Sequence, residues 1–182
     1  MVRAMLNYGG YSQKQFNHNT DALVNEGLYT VDTDPVLTQA LTISDDYSLP
    51  TPSDDIGVQY YGSSVLLNSE TTLRHYFTIT GDEDIAAIRE KYTFVLGDGT
   101  DLTPTLYKGM VCVDIKNINA AELDDIFTIT VTNTESAETF SLSYSVYSYA
   151  KYVLEYSLAR ENLVNVIKAM CLYNVAANEY FG

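Results

Sequence analysis

A chain of 182 residues, 46% of them hydrophobic, is long enough to bury one sizeable core and too apolar to be a disordered tail. Ten Lys and Arg against 24 Asp and Glu leave a net charge of −14, which repels nucleic-acid backbones and anionic membranes and sets both aside as partners. No apolar run approaches the length of a membrane span, so membrane insertion is not expected either. Sixteen tyrosines without a tryptophan suit a secreted β protein, because a tyrosine ring buries while its hydroxyl stays wet. The two cysteines, Cys112 and Cys171, are too few for a disulfide framework or a metal cluster and read as free buried thiols or a single bridge.

The segment to Phe16 reads as a helix over residues 2–16, weakened by Gly9-Gly10 and ended by Asn17-His18-Asn19-Thr20. Its first residues lack an uninterrupted apolar stretch and are not a signal peptide, which fits either a cytoplasmic protein or a piece of a longer precursor. Thr20 then caps a helical turn through Asp21–Asn25 that stops at Gly27. Val36 to Ile43 fits a strand, and the polar, proline-bearing run from Ser44 to Asp55 is a loop.

The middle of the chain is β-rich. Val58–Tyr61 and Ser64–Leu67 flank Gly62-Ser63, which reads as a hairpin turn. Thr71 to Thr80 alternates, with Leu73, His75, Phe77 and Ile79 on one face. A helical turn is expected within Asp82–Glu90, and Tyr92–Leu96 runs into the turn Gly97-Asp98-Gly99. Strands at Thr103–Tyr107, Met110–Ile115, Phe127–Thr132 and Thr139–Tyr144 follow at a cadence that argues a sandwich or barrel.

Helix returns at Ser145–Tyr156 and at Arg160–Tyr180, where Leu163, Ile167, Met170, Asn174, Ala177 and Phe181 step along one amphipathic face. The ends resemble each other, since Ala4-Met5, Tyr8 and Phe16 superpose on Ala169-Met170, Tyr173 and Phe181. This predicts a helix pair packed through the Met and Phe stripes, with Gly9 and Ala177 permitting close approach. The fold class expected is α+β: an antiparallel β-sandwich-like core spanning residues 36–144, flanked by packed N- and C-terminal helices in a single module.

Little of this pattern carries reaction chemistry. His18 stands in a polar loop and His75 on the apolar face of its strand, where a core role outweighs a catalytic one. No nucleophile-elbow glycine pattern accompanies the serines and aspartates, and phosphate loops, CxxC pairs and basic stripes are missing. Asp98-Gly99-Thr100-Asp101 and Asp82-Glu83-Asp84 lack the converging spacing of a calcium loop and read as solvated turn acids. No catalytic residue, metal or cofactor is therefore expected. The other face of the central strand carries Glu70, Thr72, Arg74, Tyr76 and Thr78. Either these make a cross-strand ion pair, or Glu70, Arg74 and Tyr76, joined by Tyr60 or Tyr61, form a polar-aromatic patch that contacts a glycan.

Four stretches carry a family resemblance: Ala4–Asp21 (AMLNYGGYSQKQFNHNTD), Tyr61–Phe77 (YGSSVLLNSETTLRHYF), Ser143–Ala150 (SYSVYSYA) and Lys168–Phe181 (KAMCLYNVAANEYF). Together they resemble a domain recurring in large secreted proteins of gut and rumen Clostridia, including Ruminococcus-type bacteria, beside adhesion, repeat or cellulosome-related modules. The resemblance implies an extracellular or cell-surface setting within a larger secreted protein and carries over no catalytic residue. Cys112 and Cys171 look like local substitutions against it, in keeping with free thiols. The function expected is a non-catalytic structural or adhesive module, with a carbohydrate-binding module of a fibre-degrading system as the alternative. The partners expected are cell-wall or plant glycans, or other protein modules.

Overall fold

A computed structural model describes residues 1–18, 31, 34–37, 56–68, 70–81, 84–156 and 160–182. The Thr20-capped turn, the loop from Ser44 to Asp55 and the acids Asp82 and Glu83 lie outside them, as does most of the strand expected from Val36. At its start, Val36 is a turn residue and Leu37 helical, because Asp34 Oδ1 accepts the Val36 N–H at 2.9 Å and closes a local turn around Pro35.

The fold is α+β, with two antiparallel sheets and helices at both ends of the chain. The residues group into two compact units, one of Met1–Asp45, Asn119–Asp124 and Tyr147–Gly182, the other of Asp46–Ile118 and Asp125–Val146.

The second unit holds both sheets. Strands β1 (Val58–Leu67), β2 (Thr71–Ile79), β4 (Thr105–Tyr107) and β5 (Met110–Ile115) form a sheet of order β1-β2-β5-β4. Strands β3 (Tyr92–Leu96), β6 (Phe127–Asn133) and β7 (Thr139–Tyr144) form the other, of order β3-β6-β7. Side chains of the two sheets meet in a sandwich-like core. Phe77 of β2 lies 5.3 Å from the Phe94 ring of β3 and 6.3 Å from Phe140 of β7, and His75 meets Tyr144 edge-on at 5.7 Å. Burial of a ring such as Phe77, fully out of water, contributes about 2–3 kcal/mol.

Gly62-Ser63 is not a hairpin turn. β1 runs through it as one strand, and the register against β2 slips between Tyr60 and Gly62, so that Tyr61 is the extra residue of a β-bulge. The true connection lies between Leu67 and Thr71, which face each other in register. The slip also changes which alternate residues face inward: Val58 and Tyr60 oppose Ile79 and Phe77, whereas Ser63 and Val65 oppose His75 and Leu73.

The other connections follow their local chemistry. Lys108 and Gly109, at φ 51° and 79°, make a two-residue turn between the paired Tyr107 and Met110. After β3, Asp98 Oδ1 accepts the Thr100 N–H at 2.8 Å and Gly99 takes φ 90°. The short helix α2 (Ile85–Lys91) is capped by Asp84, whose Oδ1 accepts from the Ala86 and Ala87 N–H groups at 2.8 and 2.9 Å.

The first unit is helical. Helix α1 (Val2–Gln15) ends as its sequence predicts: Asn17 turns left-handed at φ 62°, and the His18 N–H donates to Gln13 O at 2.9 Å. α1 packs on the long helix α4 (Glu161–Phe181), with Tyr8 stacked on Tyr173 at 5.7 Å and 22°. The helix pair is therefore present, but through other residues than the Met and Phe stripes. Asn7, Gly10 and Tyr11 are buried, whereas Met5, Phe16 and Phe181 are 43%, 49% and 70% exposed. At about 100° per residue, Met5 and Phe16 project from the side of α1 opposite Asn7 and Tyr11. Gly9 lies on that outer side too, where an added Cβ meets nothing within 4 Å, so it permits no close approach to α4. Ala177 is fully buried.

A polar knot joins three elements of this unit. Asn174 of α4 accepts from the Tyr147 hydroxyl of α3 (Val146–Tyr156) at 2.8 Å and donates to Ala120 O and Asp124 Oδ1, both at 2.9 Å. Asn174 thus fills an apolar helix stripe with every end of its amide engaged. Cys171 and Cys112 are both free and buried. Burial pushes the Cys171 thiol up to about 12, so it stays protonated and inert.

Candidate functional site

Alternation on β2 sends Leu73, His75 and Phe77 into the core and Arg74 and Tyr76 out of the opposite face. The β2–β5 register sets Arg74 directly across from Asp114. The guanidinium grips the carboxylate with two bonds, Nε to Oδ1 at 2.7 Å and Nη2 to Oδ2 at 2.8 Å. Arg74 and Asp114 keep 20% and 18% of their side-chain surface, so the pair is shielded but wet. The hydrogen bond to Asp114 raises the arginine's affinity for its proton further. Neither bond uses Nη1, which is left for another acceptor.

An aromatic rim surrounds this pair. Tyr107, at the end of edge strand β4, is 43% exposed and lies 6.4 Å from Tyr76, with the Arg74 guanidinium 5.9 Å and the Lys108 ammonium 5.1 Å from its ring centre. The Tyr76 hydroxyl hydrogen-bonds Ser64 Oγ of β1 at 2.9 Å. Cys112 sits opposite Tyr76 in the ladder, fully buried, and burial raises its thiol pKa.

The five residues that the sequence grouped take different places. Arg74 and Tyr76 share the outer face. Tyr60 opposes Phe77 and turns inward, and Tyr61 is the bulge residue, 69% exposed. Glu70 stands in the β1–β2 connection, half-buried; the carboxylate of the expected ion pair belongs to Asp114 and not to Glu70. Asp114, Tyr107, Lys108 and Ser64 escaped the reading because they reach this face through non-local strand pairing. One signal was legible: Asp114 is the sole charged residue of the run Met110–Ile115.

On the inner face, Tyr60 OH, Ser63 Oγ and His75 Nδ1 form a hydrogen-bond chain of 2.7 and 2.6 Å. His75 is fully buried, its Nε2 has no hydrogen-bond partner among the described residues, and desolvation lowers its pKa to about 3. The ring is neutral at physiological pH, and Tyr60 is likewise held protonated by burial. Hydroxyl, hydroxyl and imidazole resemble a nucleophile relay in connectivity, yet a histidine this reluctant to accept a proton is a poor general base near pH 7.

Among the described residues no group of three His, Cys, Asp or Glu side chains is placed to hold a metal ion, and no helix is long and apolar enough to cross a membrane. The class that the fold and this face define is an α+β protein with a two-sheet core and a polar-aromatic sheet surface. Compared with protein-family models, curated proteins and solved structures, the chain finds no match.

Proposed function

We propose that this chain is a non-catalytic, extracellular module of a larger secreted bacterial surface protein, with a structural or adhesive role. The observation that carries the reading is the outer face of the β1-β2-β5-β4 sheet, where Arg74 and Asp114 hold each other rigidly beside the exposed Tyr107 ring. Such a surface is preorganised for contact, since its polar groups are already oriented. The resemblance to secreted clostridial modules supports the extracellular setting, and so does the Tyr-rich, Lys-poor composition.

A second reading, carbohydrate binding, is favoured by Tyr107. A ring open to solvent accepts the apolar face of a sugar, and the neighbouring Arg74 Nη1 and Asp114 oxygens offer hydrogen bonds to its hydroxyls. A glycan array of plant and cell-wall polysaccharides, probed with the parent and with Tyr107→Ala, separates the two. Retention by the parent that Tyr107→Ala abolishes establishes carbohydrate binding. Retention on intact bacterial or host cell surfaces without any glycan signal leaves the adhesive role. Failure on both surfaces overturns this face as a contact site.

A further inference from the structure

We infer that a second copy of this chain docks on the outward face of α1, forming a two-fold symmetric dimer. α1 buries one side and exposes apolar side chains on the other. One side, through Asn7, Gly10 and Tyr11, is buried in its own unit. The other carries Val2, Met5, Leu6 and Phe16, exposed by 64%, 43%, 38% and 49%. Phe181, 70% exposed, adjoins this end of the helix, since it lines one cavity with Met1. Together these side chains leave on the order of 500 Å2 of apolar surface open, about the apolar share of one partner's half of a standard interface.

Charge selects the occupant. Residues 1–18 contain no Asp or Glu, whereas the whole chain carries 24 such acids and a net charge of −14. Two copies repel each other over most of their surfaces, and α1 itself brings no carboxylate to the contact, the nearest being Glu122 at the Met1 end. The outward positions of the helix carry no charge of either sign; Arg3 and Lys14 fall outside them.

The pattern is self-complementary as well. Gly9 stands midway between Val2 and Phe16 on the outward side, with open space around the position of its missing Cβ. An antiparallel crossing at Gly9 sets Val2 of one copy against Phe16 of the other, twice over, and lets the two backbones approach. Such isologous contacts are the commonest form of homo-oligomer.

Sedimentation equilibrium of the full chain, from micromolar to millimolar concentration in physiological salt, tests the inference. The expected mass rises from 20.3 kDa to twice that value. Leu6→Glu is expected to weaken the dimer by at least about tenfold while leaving the circular dichroism unchanged, since the side chain faces away from the core. Gly9→Ala separates roles: it raises the melting temperature of the monomer by favouring helix, yet weakens the dimer by crowding the crossing. A single-chain mass at every concentration overturns the inference, whether or not α1 then adheres to anionic vesicles. So does a dimer that neither Leu6→Glu nor Gly9→Ala affects.

Discussion

His75 shows how one residue couples the core to solution conditions. Its ring is neutral in the folded protein, with a pKa of about 3, whereas an unfolded histidine titrates near 6.5. Below pH 6.5 the unfolded chain takes up a proton that the folded chain refuses. Stability from this group is therefore complete above pH 6.5 and is lost as pH falls toward 3, by about 2 kcal/mol at pH 5. Denaturant melts of the parent and of His75→Gln across pH 7 to 5 check this, and the variant is expected to show the flatter slope. Asn7 is a second residue in tension with its surroundings. It is 1% exposed on the inner side of α1, and among the described residues neither its Nδ2 nor its Oδ1 has a hydrogen-bond partner. Replacing an unsatisfied buried amide with an apolar side chain of similar size removes that penalty. Asn7→Leu is expected to stabilise the fold by about 1–2 kcal/mol, read as a rise in the denaturation midpoint.

At the scale of elements, the bulge in β1 decides the bend of the strand. Because Tyr61 is the extra residue, deleting it leaves Tyr60 opposite Phe77 and Ser63 opposite His75 in one continuous ladder, so the inward side chains keep their face and only the local bend and twist are lost. Deletion of Tyr61 is therefore expected to cost no more than about 1–2 kcal/mol, from the lost bend of the strand, and Tyr61→Ser, which keeps the bulge, is expected to cost little. Thermal melts of the two variants distinguish loss of the bend from loss of an exposed ring. The pairing of β2 with β5 is tested by Arg74 and Asp114. At about one-fifth exposure the pair lies between a surface and a buried ion pair, so Arg74→Ala is expected to cost about 1–3 kcal/mol. The double variant Arg74→Ala/Asp114→Ala is expected to recover part of that loss, and a double-mutant cycle measures the coupling. The sequence shows that Arg74 and Tyr76 leave the core face of their strand, by simple alternation. It does not show that Asp114, 40 positions along, completes the site, because strand pairing over that distance leaves no local signature.

For the molecule as a whole, the end of the chain anchors the helical unit. Residues Met170–Gly182 include Asn174, which ties α3 and the Ala120–Asp124 segment to α4, and Tyr173, on which α1 stacks. Truncation after Ala169 is expected to remove the partners of α1 and to strip more helical circular dichroism than the deleted residues account for. It is also expected to expose apolar surface to a dye such as ANS. A truncated chain that melts as cooperatively as the parent rules out this anchoring role.

What this amino-acid sequence determined alone was everything governed by neighbours along the chain. Alternation marked β2 and β5, spacing marked β7, the period of α4 marked most of its buried stripe, and the polar run from Asn17 marked the end of α1. It also indicated that the terminal helices pack together, although the Met and Phe stripes that suggested the pair are not the residues through which it packs. Tertiary structure alone decided which side of α1 turns inward, since Met5 and Phe16 offer as good an apolar stripe as Tyr8 and Tyr11. It alone turned Gly62-Ser63 from a hairpin into a bulge, because glycine permits either geometry and only the partner strand selects one. And it alone gave Arg74 its carboxylate, since an ion pair across a sheet follows from register, and register is a property of two strands together.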